Sequence, residues 1–390
     1  MRSPSSDPRA CLDCLRRSWL LADLGPFIEV ACDDRPGRRT PELLALDDEE
    51  LVAAMAPSRA AKMLGANRSL GEDILHAELR EARAWAICRH DPDFPEALQG
   101  GRDGPRCLIG RGDIGLIESL DPGGSVTVVG ARRPTREGLV QARKLGRELA
   151  ISGVSVVSGL ALGIDGAAHR GALDAGGPGR TVAVLGCGPD RPYPNRHRQL
   201  FEEITRVGVV ISEMPPGTRP WRWSFPARNR IMAALSDLTV VVEARSGSGS
   251  LITTDLASSF GRDVAAIPGP VTSPLAEGTN SLIRDGAALV RDASDVLEVL
   301  GLSGLLARES VRPDRLDPDS KAVLDAIARG RDSVDPIAEE TGLTAGTVLS
   351  ALTRLEFEGL VEVWPTGSVV AIGGQTGPGG RRWAGAFLAL

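Results

Sequence analysis

Glycines, serines and arginines follow several short apolar runs of this sequence, at the points where the runs end. Backbone N–H groups of glycine-rich loops and the side chains of arginine both bind phosphate groups well. One such loop alone would be a simple turn, whereas several on one edge of a sheet predict a surface that binds a polyanion. The candidate contacts in these loops are Gly130, Arg132, Arg133, Ser158, Gly159, Gly163, Ser248 and Gly249.

A second group of candidates opens a helix whose body, Ile231–Leu235, is apolar. These residues are Arg228, Asn229 and Arg230. Two arginines close to the positive N-terminus of a helix are costly unless an anion neutralises them. We expect the phosphates of a bound nucleic acid to do so, with an ion pair to Glu213 or Glu243 as the alternative.

Aromatic residues stand next to these arginines in the sequence. Trp221, Trp223 and Phe225 immediately precede the helix. Aromatic rings beside arginines suit the stacking of unpaired bases, which favours a single-stranded nucleic acid. The two tryptophans could equally pack a loop against the core, and the sequence leaves both possibilities open.

The elements that must position these residues are predicted from about residue 85 to residue 300. Short β-branched runs there are apolar throughout and alternate with amphipathic stretches of about ten residues. This pattern is typical of a parallel sheet covered on both faces, and it predicts a doubly wound, mostly parallel, Rossmann-like α/β domain. The predicted strands are Ser125–Val129, Val154–Ser158, Thr181–Gly186, Val209–Ser212, Leu238–Glu243, Asp263–Ile267 and Ala287–Val290.

The chain before and after this core has a different pattern. Residues 1–84 predict a small helical domain of the SAM or helix-hairpin-helix kind, and residues 301–318 predict a linker. Residues 319–373 predict a winged helix, followed by a tail over 374–390. Its predicted elements are the helices Ser320–Ala328, Asp335–Thr341 and Thr344–Gly359 and the strands Val361–Trp364 and Ser368–Ile372, with Asp335 and Thr344 as N-caps and Gly342 as a helix end.

The charge of the predicted winged helix is unusual for a module that reads DNA. Between Leu316 and Gly374 there are four basic and ten acidic residues, and only Arg354 is basic in the predicted recognition helix. A helix that enters a DNA groove needs positive charge to neutralise phosphates. We therefore expect contact with protein or modulation of a dimer in preference to DNA binding, with the latter as the alternative.

Composition narrows the remaining classes. The formal net charge is −6, which argues against a protein that covers nucleic acid with a uniformly basic surface. The chain shows no secretory pattern and no long apolar run, so we expect a cytoplasmic protein. Cys11 and Cys14 form a C-x-x-C pair, but a zinc site needs two more ligands, and His76 and His90 lie at no recognisable ligand spacing. We therefore expect no metal and no cofactor.

A family resemblance joins these motifs. The chain resembles the DNA-processing protein A (DprA/Smf) family over about residues 86–300, through VTVVGARRPTREG, SGLALGIDGAAHRGAL, AVLGCGPDRPYP, ISEMPPGTRPWRWSFPARNRIMAALS, VVVEARSGSGSLITTDLA, GRDVAAIPGP and EGTNSLIRDGA. The resemblance implies an extended Rossmann fold, a homodimer through the core and a non-enzymatic role. It further implies that the protein binds single-stranded DNA and delivers it to RecA recombinase in natural transformation.

Site residues follow from the resemblance position by position. It implies DNA contacts at Arg132, Ser158, Gly159, Arg228 and Arg230, whereas Asp165 and His169 are expected to brace their loop. Many members have a lysine and an asparagine after Tyr-Pro, where this chain has Asn195, Arg196 and His197. Arg196 is therefore expected to supply the basic contact there, with Arg198 as the alternative.

The nearest rival is an enzyme of a related fold, a nucleotide phosphoribohydrolase of the LOG-like kind. Its signature resembles PGGxGTxxE, whereas the corresponding strand end here is EARSGSGSLITTD. Asp165, Glu213 and Glu243 lie at strand ends, but their spacing shows no recognisable general acid and base pair. The sequence also lacks a complete GxGxxG fingerprint and a GxxxxGK[ST] loop. The prediction is therefore a binding protein and not an enzyme.

Overall fold

The computed structural model describes residues 9–32, 42–100, 104–118, 120, 124–176, 181–302, 316–357, 361–363 and 368–371. The chain forms two compact units, one before residue 306 and one from residue 306 onwards. The predicted tail 374–390 and most of the predicted linker 301–318 lie outside the described residues. Among the described helices, none combines the length and apolar character needed to cross a bilayer.

The first unit begins with helices and continues as alternating strands and helices. Its elements are, in chain order, α1 (Leu12–Ala31), α2 (Asp48–Met55), α3 (Ala60–Arg68), α4 (Glu72–Glu81), β1 (Trp85–Cys88), α5 (Glu96–Gln99), β2 (Cys107–Gly112), α6 (Gly115–Glu118), β3 (Ser125–Val129), α7 (Arg136–Ile151), β4 (Ser155–Ser158), α8 (Ile164–Asp174), β5 (Thr181–Leu185), α9 (Arg198–Val207), β6 (Val209–Ser212), α10 (Ser224–Leu235), β7 (Leu238–Val241), α11 (Gly249–Ser259), β8 (Asp263–Ala266), α12 (Glu277–Arg284), β9 (Ala288–Leu289) and α13 (Ala293–Val299). The predicted strands are confirmed to within two residues at each end.

One sheet contains nine strands in the order β1-β2-β6-β5-β4-β3-β7-β8-β9. The strands from β6 to β9 are parallel, whereas β1 and β2 add an antiparallel edge. The fold prediction, a mostly parallel doubly wound sheet, is confirmed. From β3 the chain adds β4, β5 and β6 on one side and then returns to place β7 on the other side of β3. Such a switch point opens a crevice at the carboxyl ends of the strands, where ligands of these folds bind.

The antiparallel edge was not predicted, because its residues do not look like strands. β2 contains Gly110 and Gly112, and glycine is depleted in strands. In the structure a Cβ on Gly110 would lie 2.3 Å from the Trp85 ring, so the glycine makes room for the indole of the neighbouring strand. The glycine that hid the strand is therefore part of how it pairs.

Alternate residues of the strands fill two cores, one on each face of the sheet. Val128, Val156 and Val240 pack with α7 and α8 on one face. Val157 and Val241 pack with α10 on the other. Full burial of each such side chain contributes about 1.5–3 kcal/mol, so the sheet holds the loops at its carboxyl edge on a rigid support.

The N-terminal helices share a core with this α/β region. Leu20 and Leu24 of α1 pack with Met214, Trp223 and Ala227. Residues before 303 therefore form one compact unit. The predicted division near residue 84 marks a change of sequence pattern, and as a domain boundary it stays a prediction.

The second unit has the predicted winged-helix elements. They are α14 (Pro318–Ala328), α15 (Val334–Thr341), α16 (Ala345–Phe357), β10 (Val361–Val363) and β11 (Val369–Ala371), with the two strands antiparallel. Thr344 caps α16 by accepting from the Thr347 N–H at 3.2 Å, and Gly342 ends α15 at a φ of 71°. The predicted cap of α15 was wrong, because the helix begins at Val334 with Ser333 as its N-cap and Asp335 inside it.

Candidate functional site

A cleft of about 880 Å³ opens at the switch point between β3 and β7. We call it the strand-end cleft. The loops after these two strands, the first turns of α10 and α11, and Tyr193 line it. Seven predicted contacts meet there, namely Gly130, Arg132, Arg133, Arg228, Asn229, Ser248 and Gly249. A smaller adjoining pocket adds Gly159 beside Arg132 and Arg228.

Aromatic rings and arginines alternate along one wall of the cleft. The Arg132 guanidinium lies 5.6 Å from the centroid of the Phe225 ring, and the Arg228 guanidinium lies 5.9 Å from the same centroid. The ring centroids of Tyr193 and Phe225 lie 5.5 Å apart, and Tyr193 is 42% exposed. A partly exposed aromatic pair flanked by cations offers stacking surface and positive charge together.

Arg228 is buried at the floor of this wall. Its Nη1 donates to the carbonyl oxygens of Gly159 and Val184. Burial lowers the pKa of Arg228, and the nearby Asp165 carboxylate opposes that effect. A Cβ on Gly159 would lie 2.3 Å from the Arg228 guanidinium, so only glycine fits there. Arg228 thus joins two strand ends and still faces the cleft.

Asp165 braces the loop after β4, as expected, whereas the His169 ring contacts the start of β5. The Asp165 Oδ2 accepts from the backbone N–H groups of Gly159 at 3.1 Å and Ala161 at 3.3 Å. Burial raises the pKa of Asp165, whereas Arg228 lowers it. His169 is fully buried with Nδ1 2.7 Å from the Thr181 hydroxyl. Burial lowers the pKa of His169 to about 3, so its ring is neutral near pH 7.

The loop after β7 presents the N-terminus of α11 to the cleft. Ser248 caps this helix, with its Oγ accepting from the Ser250 N–H at 3.4 Å. The Asn229 amide donates to the Gly249 carbonyl at 3.4 Å, which ties α10 to the same turn. Arg245 is exposed beside it. A helix N-terminus with exposed arginines nearby is a favourable place for an anion.

Glu243 supports the opposite loop from below. Its carboxylate accepts from the Thr135 N–H at 2.8 Å and from the Thr135 hydroxyl at 2.6 Å. Thr135 in turn caps α7 by accepting from the Gly138 N–H at 2.9 Å. Glu243 therefore holds the turn that carries Arg132 and Arg133.

Arg230 does not lie in the cleft. It is 2% exposed, and its Nη2 contacts both carboxylate oxygens of Glu213 at 2.8 Å. It lines a separate pocket with Leu98 and Phe260. The expectation of a DNA contact at Arg230 is corrected, because a buried guanidinium already paired with a carboxylate is not offered to phosphate. The ion pair considered from the sequence is the contact present.

Three other predicted contacts also do not line the cleft. Ser158 is fully buried and its hydroxyl donates to the Val128 carbonyl at 2.6 Å. Gly163 has a φ of 84°, and a Cβ there would lie 2.3 Å from the Ala131 carbonyl oxygen. Ser158 and Gly163 therefore support the backbone around the cleft and do not line it. Arg196 is exposed on the turn Asn195–His197, outside the lining of the cleft.

The tryptophans pack the N-terminal helices and do not face the cleft. Trp223 is fully buried and its Nε1 donates to the Gly25 carbonyl at 3.1 Å. Arg219 stacks on Trp221, 3.8 Å from its ring centroid. Of the three aromatic candidates, Phe225 alone lines the cleft.

Sequence reasoning missed Tyr193, Arg222 and Arg245, which the structure brings into the lining of the cleft. Each lies inside a motif quoted for the family resemblance, and Arg245 follows a strand end directly. Position at a strand end could have identified Arg245. Tyr193 could not be found in that way, because it reaches the cleft through the long loop between β5 and α9.

The basic residues of the winged-helix unit are mostly paired. Arg329 and Arg331 both contact Glu340, and the Arg354 Nη2 lies 3.8 Å from Asp317. These pairs leave little positive charge on the described surface of this unit. The prediction that it favours partners other than DNA keeps its basis.

The expectation of no metal site rested on two missing ligands beside Cys11 and Cys14, and the structure supplies two candidates. Cys88 and His90 lie beside Cys11 and Cys14, and the four ligand atoms are all within 4.8 Å of one another. The sequence could not show this, because the two pairs come from different elements and pair only in the fold. These residues, which we call the cysteine–histidine cluster, could hold a metal ion.

Two family models match this chain. Residues 85–301 match the DNA recombination-mediator protein A family, and residues 307–367 match the DprA winged helix domain. The first match covers the whole sheet and the strand-end cleft. The resemblance recognised in the motifs is confirmed.

Individual proteins agree with these matches. The chain is 46% identical over 243 residues to a DprA protein of Mycobacterium tuberculosis, covering 61% of this chain and 62% of that relative's length. It is 34% identical over 337 residues to the Smf protein of Synechocystis, covering 78% and 84%. The crystal structure of DNA processing protein A from Streptococcus pneumoniae aligns with a TM-score of 0.58 at 31% identity, covering 74% of this chain and 98% of that one.

Proposed function

This chain belongs to the DNA recombination-mediator protein A family, and we propose that it binds single-stranded DNA in the strand-end cleft. One observation carries the proposal. Arg132, Phe225 and Arg228 form a continuous cationic and aromatic wall at the switch point of the sheet. Ligands of doubly wound folds bind at that point.

The geometry suits a strand whose bases are unpaired. Phosphates would lie against Arg132, Arg133 and Arg245 and against the N-terminus of α11. Bases would stack on Phe225 and Tyr193, which is worth about 1–3 kcal/mol per base. A duplex keeps its bases stacked on one another, so it cannot use the aromatic wall.

The family resemblance extends the proposal beyond the cleft. We propose that the protein acts in the cytoplasm as a homodimer joined through the α/β unit. It protects incoming single-stranded DNA and loads RecA recombinase onto it during natural transformation. This role is stoichiometric, because the strand is held and presented without a change in its covalent bonds.

A nucleotide phosphoribohydrolase has less support in the site. Glycosidic cleavage needs a carboxylate that can approach the substrate. Glu243 is held by Thr135, Glu213 by Arg230, and Asp165 by backbone N–H groups. All three carboxylates have structural partners, which supports binding as the role of the cleft.

The test compares single-stranded and duplex oligonucleotides of equal length at two salt concentrations. We expect the wild-type protein to prefer the single strand. Arg132→Ala should reduce the slope of log K against log salt by about 0.7, the contribution of one phosphate in a single strand. Arg143→Ala is the matched control, because this exposed arginine pairs with Asp174 outside the cleft. Equal affinity for the two DNAs, or no binding at low salt, would overturn the proposal.

A further inference from the structure

The sulfur–nitrogen distances in the cysteine–histidine cluster are close to those between the ligands of a tetrahedral zinc ion. The His90 Nδ1 lies 3.4 Å from the Cys11 sulfur, 3.5 Å from the Cys14 sulfur and 3.9 Å from the Cys88 sulfur. Four-coordinate zinc has Zn–S bonds of about 2.3 Å and Zn–N bonds of about 2.0–2.1 Å, which separates sulfur and nitrogen ligands by roughly 3.5–3.6 Å. The observed distances bracket that value.

Hydrogen bonds alone do not account for this arrangement. Three sulfurs converge on one ring nitrogen of His90. That nitrogen has one lone pair or carries one proton, so it can serve only one thiol as a strong partner. A cation at the centre of the cluster would satisfy all four ligand atoms at once.

The backbone at the start of α1 also favours an occupied site. A divalent ion stabilises the thiolate form of the cysteines that coordinate it. Cys11 is the N-cap of α1, whose positive end supports negative charge, and its N–H donates to the Cys88 sulfur at 3.4 Å.

The fold holds the two ligand pairs together independently of any metal. The backbone N–H groups of Arg9 and Ala10 both donate to the Ala86 carbonyl, at 2.9 and 3.2 Å. The Arg9 guanidinium also pairs with Asp91 at 3.2 Å and with Asp93 at 2.8 Å. These contacts fix the start of α1 against the end of β1, so the four ligands are presented before an ion binds.

The geometry points to a bound zinc ion, and we propose that Cys11, Cys14, Cys88 and His90 form a structural zinc site. Three thiolates and an imidazole are soft and borderline donors, which suit zinc over magnesium or calcium. All four positions are filled by protein, so no position remains for a substrate or a reactive water. Cys11 and Cys14 of α1 are joined to Cys88 and His90 at β1, and the cross-link between Cys11 and Cys88 spans 77 residues of sequence.

The ion would stabilise the attachment of α1 to the sheet. From the site, α1 runs to Gly25, whose carbonyl accepts from the Trp223 ring just before α10. Loss of the ion should therefore loosen the N-terminal helices first. This inference stands apart from the proposed DNA binding, because none of the four ligands lines the strand-end cleft.

The experiment measures zinc in full-length protein purified without a polyhistidine tag, under reducing conditions. We expect one zinc per chain by inductively coupled plasma mass spectrometry. Replacement by cobalt should give the visible absorption of tetrahedral cobalt and a sulfur-to-cobalt charge-transfer band in the near ultraviolet. Wild-type protein that contains no zinc and gives no such spectrum after addition of cobalt would overturn the proposal.

Variants locate the ion. Cys14→Ser and His90→Ala should each lower the zinc content at least tenfold, and His90 is exposed, so its replacement removes no side chain from the core. Cys107→Ala is the matched control, because Cys107 is buried opposite Cys88 in the ladder but is not part of the cluster. Zinc retained in both ligand variants, or a Cys11–Cys14 disulfide found by mass spectrometry in the purified protein, would count against the site.

Discussion

The strand-end cleft and the winged-helix unit are the two regions of this molecule where nucleic acid could be expected to bind, and they differ in how they use charge. In the cleft, Arg132 and Arg133 are exposed, and Arg132 lies over the Phe225 ring. In the winged-helix unit, Arg329 and Arg331 are both paired with one glutamate. An arginine paired with a carboxylate contributes less to phosphate binding, because its positive charge is already partly neutralised. The partners of the basic residues therefore predict phosphate binding better than the number of basic residues does.

The two units also differ in the structural element that would bring positive charge to DNA. A winged helix reads DNA by placing one helix in a groove. In α16 the only basic residue is Arg354, which lies 3.8 Å from Asp317. The cleft needs no such helix, because loops from several strands converge on it. A prediction from the fold alone would favour the winged-helix unit as the DNA-binding region, whereas the distribution of unpaired arginines favours the cleft.

The largest expected effect tests whether Arg230 stabilises the α/β unit or contacts DNA. Arg230→Ala leaves Glu213 buried without its partner, which should lower the free energy of unfolding by about 3–5 kcal/mol. Urea denaturation measures this, with the exposed pair of Arg284 as control, where Arg284→Ala should cost less than about 1 kcal/mol. A stable Arg230→Ala protein that has lost DNA binding would instead make Arg230 a contact, against its burial.

The next effect tests the aromatic wall of the cleft. Phe225→Ala should weaken binding of a single-stranded oligonucleotide by about 1–3 kcal/mol, or roughly 5- to 150-fold, because one stacked base is lost. Fluorescence anisotropy measures the change. Phe260→Ala is the control, since Phe260 is 37% exposed and lies outside the cleft. Equal losses in both variants would show that the effect is not specific to the wall.

A pH effect should distinguish the two units by their stability. All four histidines precede residue 198, so the winged-helix unit has none. The folded pKa of His169, about 3, lies below the ordinary value of 6.5, so the unfolded chain binds the proton more readily. Stability is therefore full above pH 6.5 and falls as the pH drops, by about 2 kcal/mol at pH 5.

Thermal unfolding at pH 7 and pH 5 measures this loss in the α/β unit. His169→Gln should remove that part of the pH dependence, whereas His76→Gln on α4 should leave it in place. An unchanged pH dependence in His169→Gln would mean that His169 is not the group that titrates.

The smallest expected effect concerns the winged-helix unit itself. The double variant Lys321→Ala with Arg354→Ala should change the affinity for single-stranded DNA less than about twofold, because ten acidic residues surround the four basic ones between Leu316 and Gly374 and disfavour phosphate binding. The same anisotropy assay applies. A tenfold loss would reverse the comparison and make this unit a second DNA-binding surface.

The sequence predicted most of the parallel sheet because buried strands are apolar along their whole length. It failed at β1 and β2, where Gly110 and the bulky Trp85 fit together only across the ladder. Local pattern cannot show a contact between strands that are distant in sequence. The same limit hid the cysteine–histidine cluster, because Cys88 reaches Cys11 only when α1 packs against the edge of the sheet.

The site was predicted in position and only partly in residues. Strand ends converge by topology, so Arg132, Arg228 and Gly249 meet as expected. Arg228 and Arg230 are both buried arginines of α10, yet Arg228 lines the cleft and Arg230 is paired with Glu213. Side-chain direction separates them, and that depends on packing which a linear motif does not contain.

Tyr193 on the wall of the cleft is the only tyrosine in the chain. Biosynthetic incorporation of 3-fluorotyrosine would therefore place a single fluorine nucleus at this position and at no other. One ¹⁹F resonance would then report ligand entry, ring motion and exchange directly, without assignment of the remaining spectrum. Because the chain has a single tyrosine, this label reports on the cleft alone.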